Sequence, residues 1–199
     1  MAKRQNTNKF TNKKVQEVKG DAIDLFFKTE GNAIFMHGAN CKKTMGAGIA
    51  LQVRQMLPPL YFLDHFDTRT PTQRYGSYSA TILAGGENQP VKLGVNLYTQ
   101  YTPGPVFSLD ALKTSLTGFK LSIPEEQRPL FEVIVPQIGC GIGGGDWDVV
   151  KPVILDILSD FRLVLVEYQA PEPPTAEDEG PGPLEPVKRP TRRGRKAKA

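Results

Sequence analysis

Two glycine-rich runs hold most of the residues able to do chemistry. The first passes from Met36 through His37, Gly38, Ala39, Asn40 and Cys41 to Gly46, Ala47, Gly48 and Ile49. The second passes from Pro136 through Gly139, Cys140, Gly141, Ile142 and Gly143 to Gly144, Gly145, Asp146 and Trp147. Each follows a β-rich apolar run and opens a stretch of helical period. Glycine lacks the Cβ that would keep a ligand off the backbone, and a helix N-terminus behind such a loop adds partial positive charge, so both runs suit an anion. One glycine loop is a weak signal, whereas two suit a paired-phosphate ligand.

His37, one of only two histidines, ends an expected buried strand three residues before Asn40. Its ring either completes that strand or faces a ligand. Asp146 either works beside the second loop or caps the helix that follows. Cys41 and Cys140 have no second cysteine or histidine at the short spacing a zinc site needs, so no metal is expected, and both read as reduced, loop-packing thiols. His65 lies within Asp64, His65, Phe66 and Asp67, a run that reads as surface loop despite its likeness to an acid–base dyad. Two familiar nucleotide loops fail on spacing. Gly46 and Gly48 are followed by Ile49, Ala50 and Leu51 with no third glycine, and neither loop ends in the Lys-Ser/Thr pair of a triphosphate loop.

The elements that must position these residues alternate along the chain. β-rich runs at 15–19, 33–36, 77–83, 93–97, 131–135 and 163–168 read as strands, and periodic stretches at 46–57, 109–120 and 148–159 read as helices. Residues 21–27 read as a helical turn. Such alternation predicts an α/β fold with a mostly parallel sheet covered by helices on both faces. Ser108 suits an N-cap ahead of Leu109, Leu112, Leu116 and Phe119, which share one helical face. Pro152 places the start of the third helix close to Asp146 or Asp148.

The ends have a different composition. The chain of 199 residues carries +4, with +5 in its first 19 residues and +2 in its last 29, so the part between them carries −3. Seven prolines and mixed charge runs after Ala170 cannot build a core. The basicity therefore belongs to the ends: a basic arm over 1–14 and a Pro-rich charged tail over 170–199, flanking one domain over 15–169. Weak contact of these tails with nucleic acid is the sharper reading of their charge, and a solvated tail the plainer one. No signal peptide and no apolar run approaching the ~20 residues of a membrane span are evident, which predicts a cytoplasmic protein with no membrane contact. Length and the lack of a heptad favour a monomer.

Four ordered motifs resemble the macrodomain family of ADP-ribose-binding α/β/α modules, over about residues 15 to 168. They are Val18, Lys19, Gly20, Asp21, Ala22 and Ile23; the first glycine loop; Val95, Asn96, Leu97, Tyr98, Thr99 and Gln100; and the second glycine loop. The resemblance implies a three-layer α/β/α macrodomain with a mixed, mostly parallel central sheet and no cofactor. It implies that Asp21 accepts from the adenine amino group while Ala22 or Ile23 reads a ring nitrogen, the alternative for Asp21 being a helix N-cap. Asn40 would hydrogen-bond the distal ribose, or merely shape its own turn. Gly46, Ala47, Gly48 and Ile49 would form the first phosphate loop, and Gly139, Cys140, Gly141, Ile142 and Gly143 the second.

One macrodomain subgroup hydrolyses ADP-ribose 1″-phosphate to ADP-ribose and phosphate with a histidine near His37 and an aspartate near the second loop. By resemblance, His37 and Asp146 are the expected catalytic pair of such a phosphatase. A second subgroup removes ADP-ribose from modified protein or nucleic acid with a lysine at about Gln100 and an aspartate near Gly143, and both residues differ here. A non-catalytic reader of ADP-ribose or ADP-ribosylated macromolecules is the third expectation.

Overall fold

The computed structural model describes residues 14–170. The expected arm over 1–14 and tail over 170–199 lie outside the described residues, apart from Lys14 and Ala170. Six strands and six α-helices follow in the order β1 (Val15–Gly20), α1 (Ala22–Lys28), β2 (Ala33–Asn40), α2 (Gly48–Met56), α3 (Pro58–His65), α4 (Pro71–Arg74), β3 (Tyr78–Gly86), β4 (Gln89–Gln100), α5 (Leu109–Ser122), β5 (Glu132–Pro136), α6 (Trp147–Ile157) and β6 (Arg162–Tyr168). A 3₁₀ turn, Glu125–Leu130, precedes β5.

The strands form one sheet in the order β1-β6-β5-β2-β4-β3, parallel except for the β3–β4 hairpin. Side chains alternate across it with period two, so each central strand feeds two cores. In β2, Ile34 and Met36 join Leu112, Leu116, Val150 and Ile154 under α5 and α6. Phe35, between them, faces the opposite way into the cluster of Ile23, Phe26, Val53 and Leu60 under α1, α2 and α3. That is the expected three-layer α/β/α arrangement with a mixed, mostly parallel sheet. Among the described residues no helix is long and apolar enough to cross a membrane.

Three expectations need correction. The second helix begins at Gly48, not Gly46, because Ala47 is extended at φ −153°, ψ 164° and keeps Gly46 and Ala47 in the loop. Residues 58–76 were expected to hold no element, yet contain α3 and α4, each with proline in its first turn. His65 is therefore the last residue of a helix, stacked on Tyr61 at 5.4 Å, and not part of a surface loop.

Candidate functional site

The five mutually parallel strands end on one rim. Their last residues, Gly20, Asn40, Gln100, Pro136 and Tyr168, all line a single cleft of about 690 Å³, within the usual ~300–1,000 Å³ of small-molecule sites. Carboxyl ends of parallel strands are where open α/β sheets place ligands, because the loops and helix N-termini gather there. Helix α2 contributes its N-terminus. Its N-cap, Ala47, has no side chain able to bond the first-turn amides, so those N–H groups stay available to an anion.

The first loop is shaped from within by Asn40. Its Oδ1 accepts from the Lys42 N–H at 3.0 Å, the Thr44 N–H at 3.3 Å and the Thr44 hydroxyl at 3.1 Å, and its Nδ2 donates to the Thr44 carbonyl at 2.7 Å. Turn chemistry thus occupies Asn40, leaving one amide hydrogen uncommitted on a residue that lines the cleft. The second loop folds upon itself through Gly145 N–H to the Gly139 carbonyl at 2.9 Å and Gly144 N–H to the Gly141 carbonyl at 3.1 Å. Among the described residues, the N–H groups of Ala47, Gly48 and Ile49 in one loop and of Gly141, Ile142 and Gly143 in the other donate to no protein acceptor. The loops meet where a Cβ on Gly48 would lie 3.7 Å from Ile142 Cδ1. Ile142 is otherwise exposed.

Of the residues singled out in sequence, Ala22, Asn40, Gly46, Ala47, Gly48, Ile49, Gly139, Gly141, Ile142 and Gly143 line this cleft together. Asp21 and Ile23 do not, although their neighbours Gly20 and Ala22 do. The Asp21 carboxylate caps α1, accepting from Ile23 N–H at 2.8 Å and Asp24 N–H at 3.0 Å through Oδ1, and the Ile23 side chain is in the core. Cys140 turns its thiol inward to the Ile138 carbonyl at 3.3 Å, and burial raises its pKa to about 11. That keeps it protonated and poorly nucleophilic.

His37 is not at the cleft. The expectation that its ring faces a ligand is corrected by its place in β2, on the same face as Phe35 and stacked on that ring at 6.0 Å. It is fully buried. Its Nε2 lies 2.7 Å from Asn96 Oδ1, and Asn96 donates through Nδ2 to the Leu60 carbonyl and Ser79 Oγ, both at 3.2 Å. Because Oδ1 can only accept, Nε2 carries the proton and Nδ1 has no hydrogen-bond partner among the described residues. Burial lowers the imidazole pKa from 6.5 to about 4, against the raising effects of the Asn96 hydrogen bond and of the Gly38 backbone. Asp146 caps α6 through the Asp148 N–H at 2.9 Å, on the side of the sheet opposite Phe35. The structure does not bring the expected pair together.

Several cleft residues carried no sequence motif: Tyr168, Gln52 and Pro103. Tyr168 is the largest of them, 61% exposed, paired across the sheet with Gly20. The alternating pattern of β6 marked it only as a strand end. Behind the first loop lies a further unforeseen group. Arg74, fully buried, pairs with Asp64, approaches Asp67 Oδ2 at 3.3 Å, donates to the Cys41 carbonyl at 2.8 Å and covers the Tyr98 ring at 4.2 Å. Arg69 holds Asp67 from the other side through Nε and Nη2. Burial opposes ionisation of Asp67, yet these hydrogen bonds outweigh it and keep its pKa below the ordinary value.

Among the described residues that line the cleft there is no carboxylate, imidazole, ammonium or guanidinium group. What the site offers an anion is therefore uncharged donors, the backbone N–H groups of the two loops foremost, with neutral polar side chains such as Asn40 and Gln52 beside them.

No family model matches the chain. It is 32% identical over 156 residues to the uncharacterized 17.5 kDa protein of the tk–vs intergenic region of Enterobacteria phage T4, covering 78% of this chain and 97% of that protein. Among solved structures it is similar to the macrodomain of Mycobacterium tuberculosis DarG, with a TM-score of 0.59 and 21% identity over 76% of this chain and 96% of that one. It is also similar to Thermosipho africanus DarTG in complex with ADP-ribose, with a TM-score of 0.57 and 18% identity over 81% of this chain and 43% of that one. The sheet order, the two helical layers and these likenesses agree: the chain has the macrodomain fold and belongs to the same family as the phage T4 protein.

Proposed function

We propose that the cleft binds ADP-ribose, free or carried by a macromolecule. The observation that carries this reading is the pair of opposed loops whose uncommitted N–H groups border one cleft at the strand ends. A diphosphate fits between them, held by backbone donors that need no counter-charge. Adenine takes the end beside Gly20, Ala22 and Tyr168, within reach of Asp21, and the distal ribose takes the end beside Asn40 and Gln100. The ADP-ribose bound in the fold relative DarTG supports this choice of ligand.

Binding is the function this geometry supports best. Hydrolysis of ADP-ribose 1″-phosphate by His37 and Asp146 would require two side chains that lie outside the cleft, on opposite faces of the sheet. Removal of ADP-ribose from an acceptor would have to proceed without a lysine at Gln100 or an aspartate at Gly143, so its chemistry would differ from the subgroup described above.

Titration calorimetry with ADP-ribose tests the reading. We expect saturable binding, and at a ligand concentration of ~100 Kd a gain of about 2.7 kcal/mol in stability that raises the melting temperature. Tyr168→Ala should weaken affinity roughly fivefold, for the loss of about 1 kcal/mol of aromatic contact with adenine. Absence of binding at millimolar ADP-ribose would overturn the proposal. Incubation with ADP-ribose 1″-phosphate should release no phosphate that His37→Ala abolishes; release lost in that variant would reinstate the phosphatase.

A further inference from the structure

We propose that Phe107 is the positioning residue of the second loop, the surface on which Gly139–Gly145 is moulded so that its amides face the diphosphate. This deepens the ADP-ribose reading and rests on it. The steric case is direct. A Cβ at Gly139 would stand 2.1 Å from Phe107 Cδ2 and 2.4 Å from Cε2, and one at Gly145 would stand 2.8 Å from Cδ1. No side chain tolerates such approaches, so the ring lies against two bare stretches of loop backbone. Gly139 also has φ +76°, a conformation that side-chain-bearing residues rarely adopt.

The glycines of this loop therefore serve two ends. A Cβ on Gly141 would meet nothing within 4 Å, so its side is open to a ligand. Gly139 and Gly145 are small because of the ring behind them. Polar contacts complete the mould: Phe107 N–H donates to the Gly143 carbonyl at 3.1 Å, turning that peptide's acceptor inward.

Phe107 is in turn held by the sheet. It forms an antiparallel bridge with Gln100, the next residue's N–H donates to the Thr99 carbonyl at 3.0 Å, and Gln100 Nε2 donates to the Gly104 carbonyl at 2.6 Å. Its ring also packs against the core under α5 and α6. The end of β4 thus fixes the ring, and the ring fixes the loop. Without it the loop must be ordered by the ligand, and that ordering entropy is subtracted from diphosphate binding. The adenine end, built on β1, α1 and β6, is spared.

The test compares ADP-ribose with adenosine, which has no phosphate, on wild-type protein and on Phe107→Ala and Phe107→Leu. In variants that keep the wild-type circular dichroism spectrum, ADP-ribose affinity should fall at least tenfold while adenosine affinity, read by chemical-shift titration, stays within twofold. Amide exchange at Gly145 should accelerate. ADP-ribose affinity within twofold of wild type, or equal losses for both ligands, would overturn the positioning role. If Phe107→Ala does not fold, Phe107→Leu decides on the same criteria. If the wild-type protein binds neither ligand, the ADP-ribose reading fails by itself, and unchanged Gly145 exchange in Phe107→Leu separately overturns the mould.

Discussion

Arg74→Met should lower the free energy of unfolding by about 3–5 kcal/mol, the cost of leaving a buried charge without its partner. The guanidinium is fully buried and Asp64 is 1% exposed. Asp67 retains Arg69 as a partner, but among the described residues Asp64 has only Arg74. An uncompensated carboxylate in that position must either stay charged without water or take up a proton, and both routes destabilise the native state. Arg74→Met combined with Asp64→Leu should therefore recover part of the loss, because it removes both buried charges. Arg74→Lys should fall between wild type and Arg74→Met: one ammonium cannot reproduce a planar fork that meets Asp64, Asp67 and the Cys41 carbonyl at once. Urea unfolding monitored by circular dichroism reads these differences. A loss below 1 kcal/mol for Arg74→Met would mean that water reaches the cluster.

The same contacts bear on the cleft. The Cys41 carbonyl that Arg74 holds lies between Asn40 and Thr44, two residues of the cleft wall. Lys43 reinforces this anchorage by donating through Nζ to the Asp67 carbonyl. The first loop is thus held from behind by an ionic cluster and the second by an aromatic ring. Both leave the donors in front uncommitted, which is what backbone recognition of an anion requires.

How much of this was legible in the sequence depends on whether local pattern or tertiary contact decided the outcome. All six strands were expected, because β-rich apolar runs between glycines and polar turns leave few alternatives. Strand β2 nevertheless runs on to Asn40, past Gly38, where a glycine reads locally as a strand end. In the fold Gly38 is flanked so closely that a Cβ would stand 3.0 Å from Thr99 Oγ1 and 3.1 Å from Ile138 Cγ2. Its small size serves sheet packing, which no local pattern reveals. Helix α4 did carry a signal: Thr70, Pro71, Thr72 and Gln73 spell a capping box with proline at the first helical position, and both reciprocal hydrogen bonds form. Helix α3 hid because Phe62 lies exposed on it and Phe66 lies exposed just past its end, blurring the apolar stripe. The burial of Arg74 was beyond local reading, since its partners lie up to 33 residues away. His37 misled for a different reason. A central strand is apolar on both faces, so alternation could not say which face its ring would take.

Acidification should separate the two readings of His37. Its folded pKa of about 4 lies below the 6.5 of an exposed imidazole. Between those values the unfolded chain binds a proton that the native state refuses, so stability falls as pH drops through that window, and is fully present above it. A difference of about 2.5 units corresponds to about 3 kcal/mol between pH 7 and pH 4. The cause is burial: Nδ1 has no hydrogen-bond partner among the described residues, so protonation would place a charge in the core beside the Phe35 ring. His37→Gln removes the titrating group while keeping an amide N–H for Asn96 Oδ1. Urea unfolding of both proteins at pH 7 and pH 4 should show the wild type losing about 3 kcal/mol more than the variant. Carboxylates that titrate in the same range contribute equally to both and cancel. Equal losses would mean that the folded protein accepts the proton on His37. An imidazole able to do so would have access to water, the first thing that a phosphatase using His37 would need.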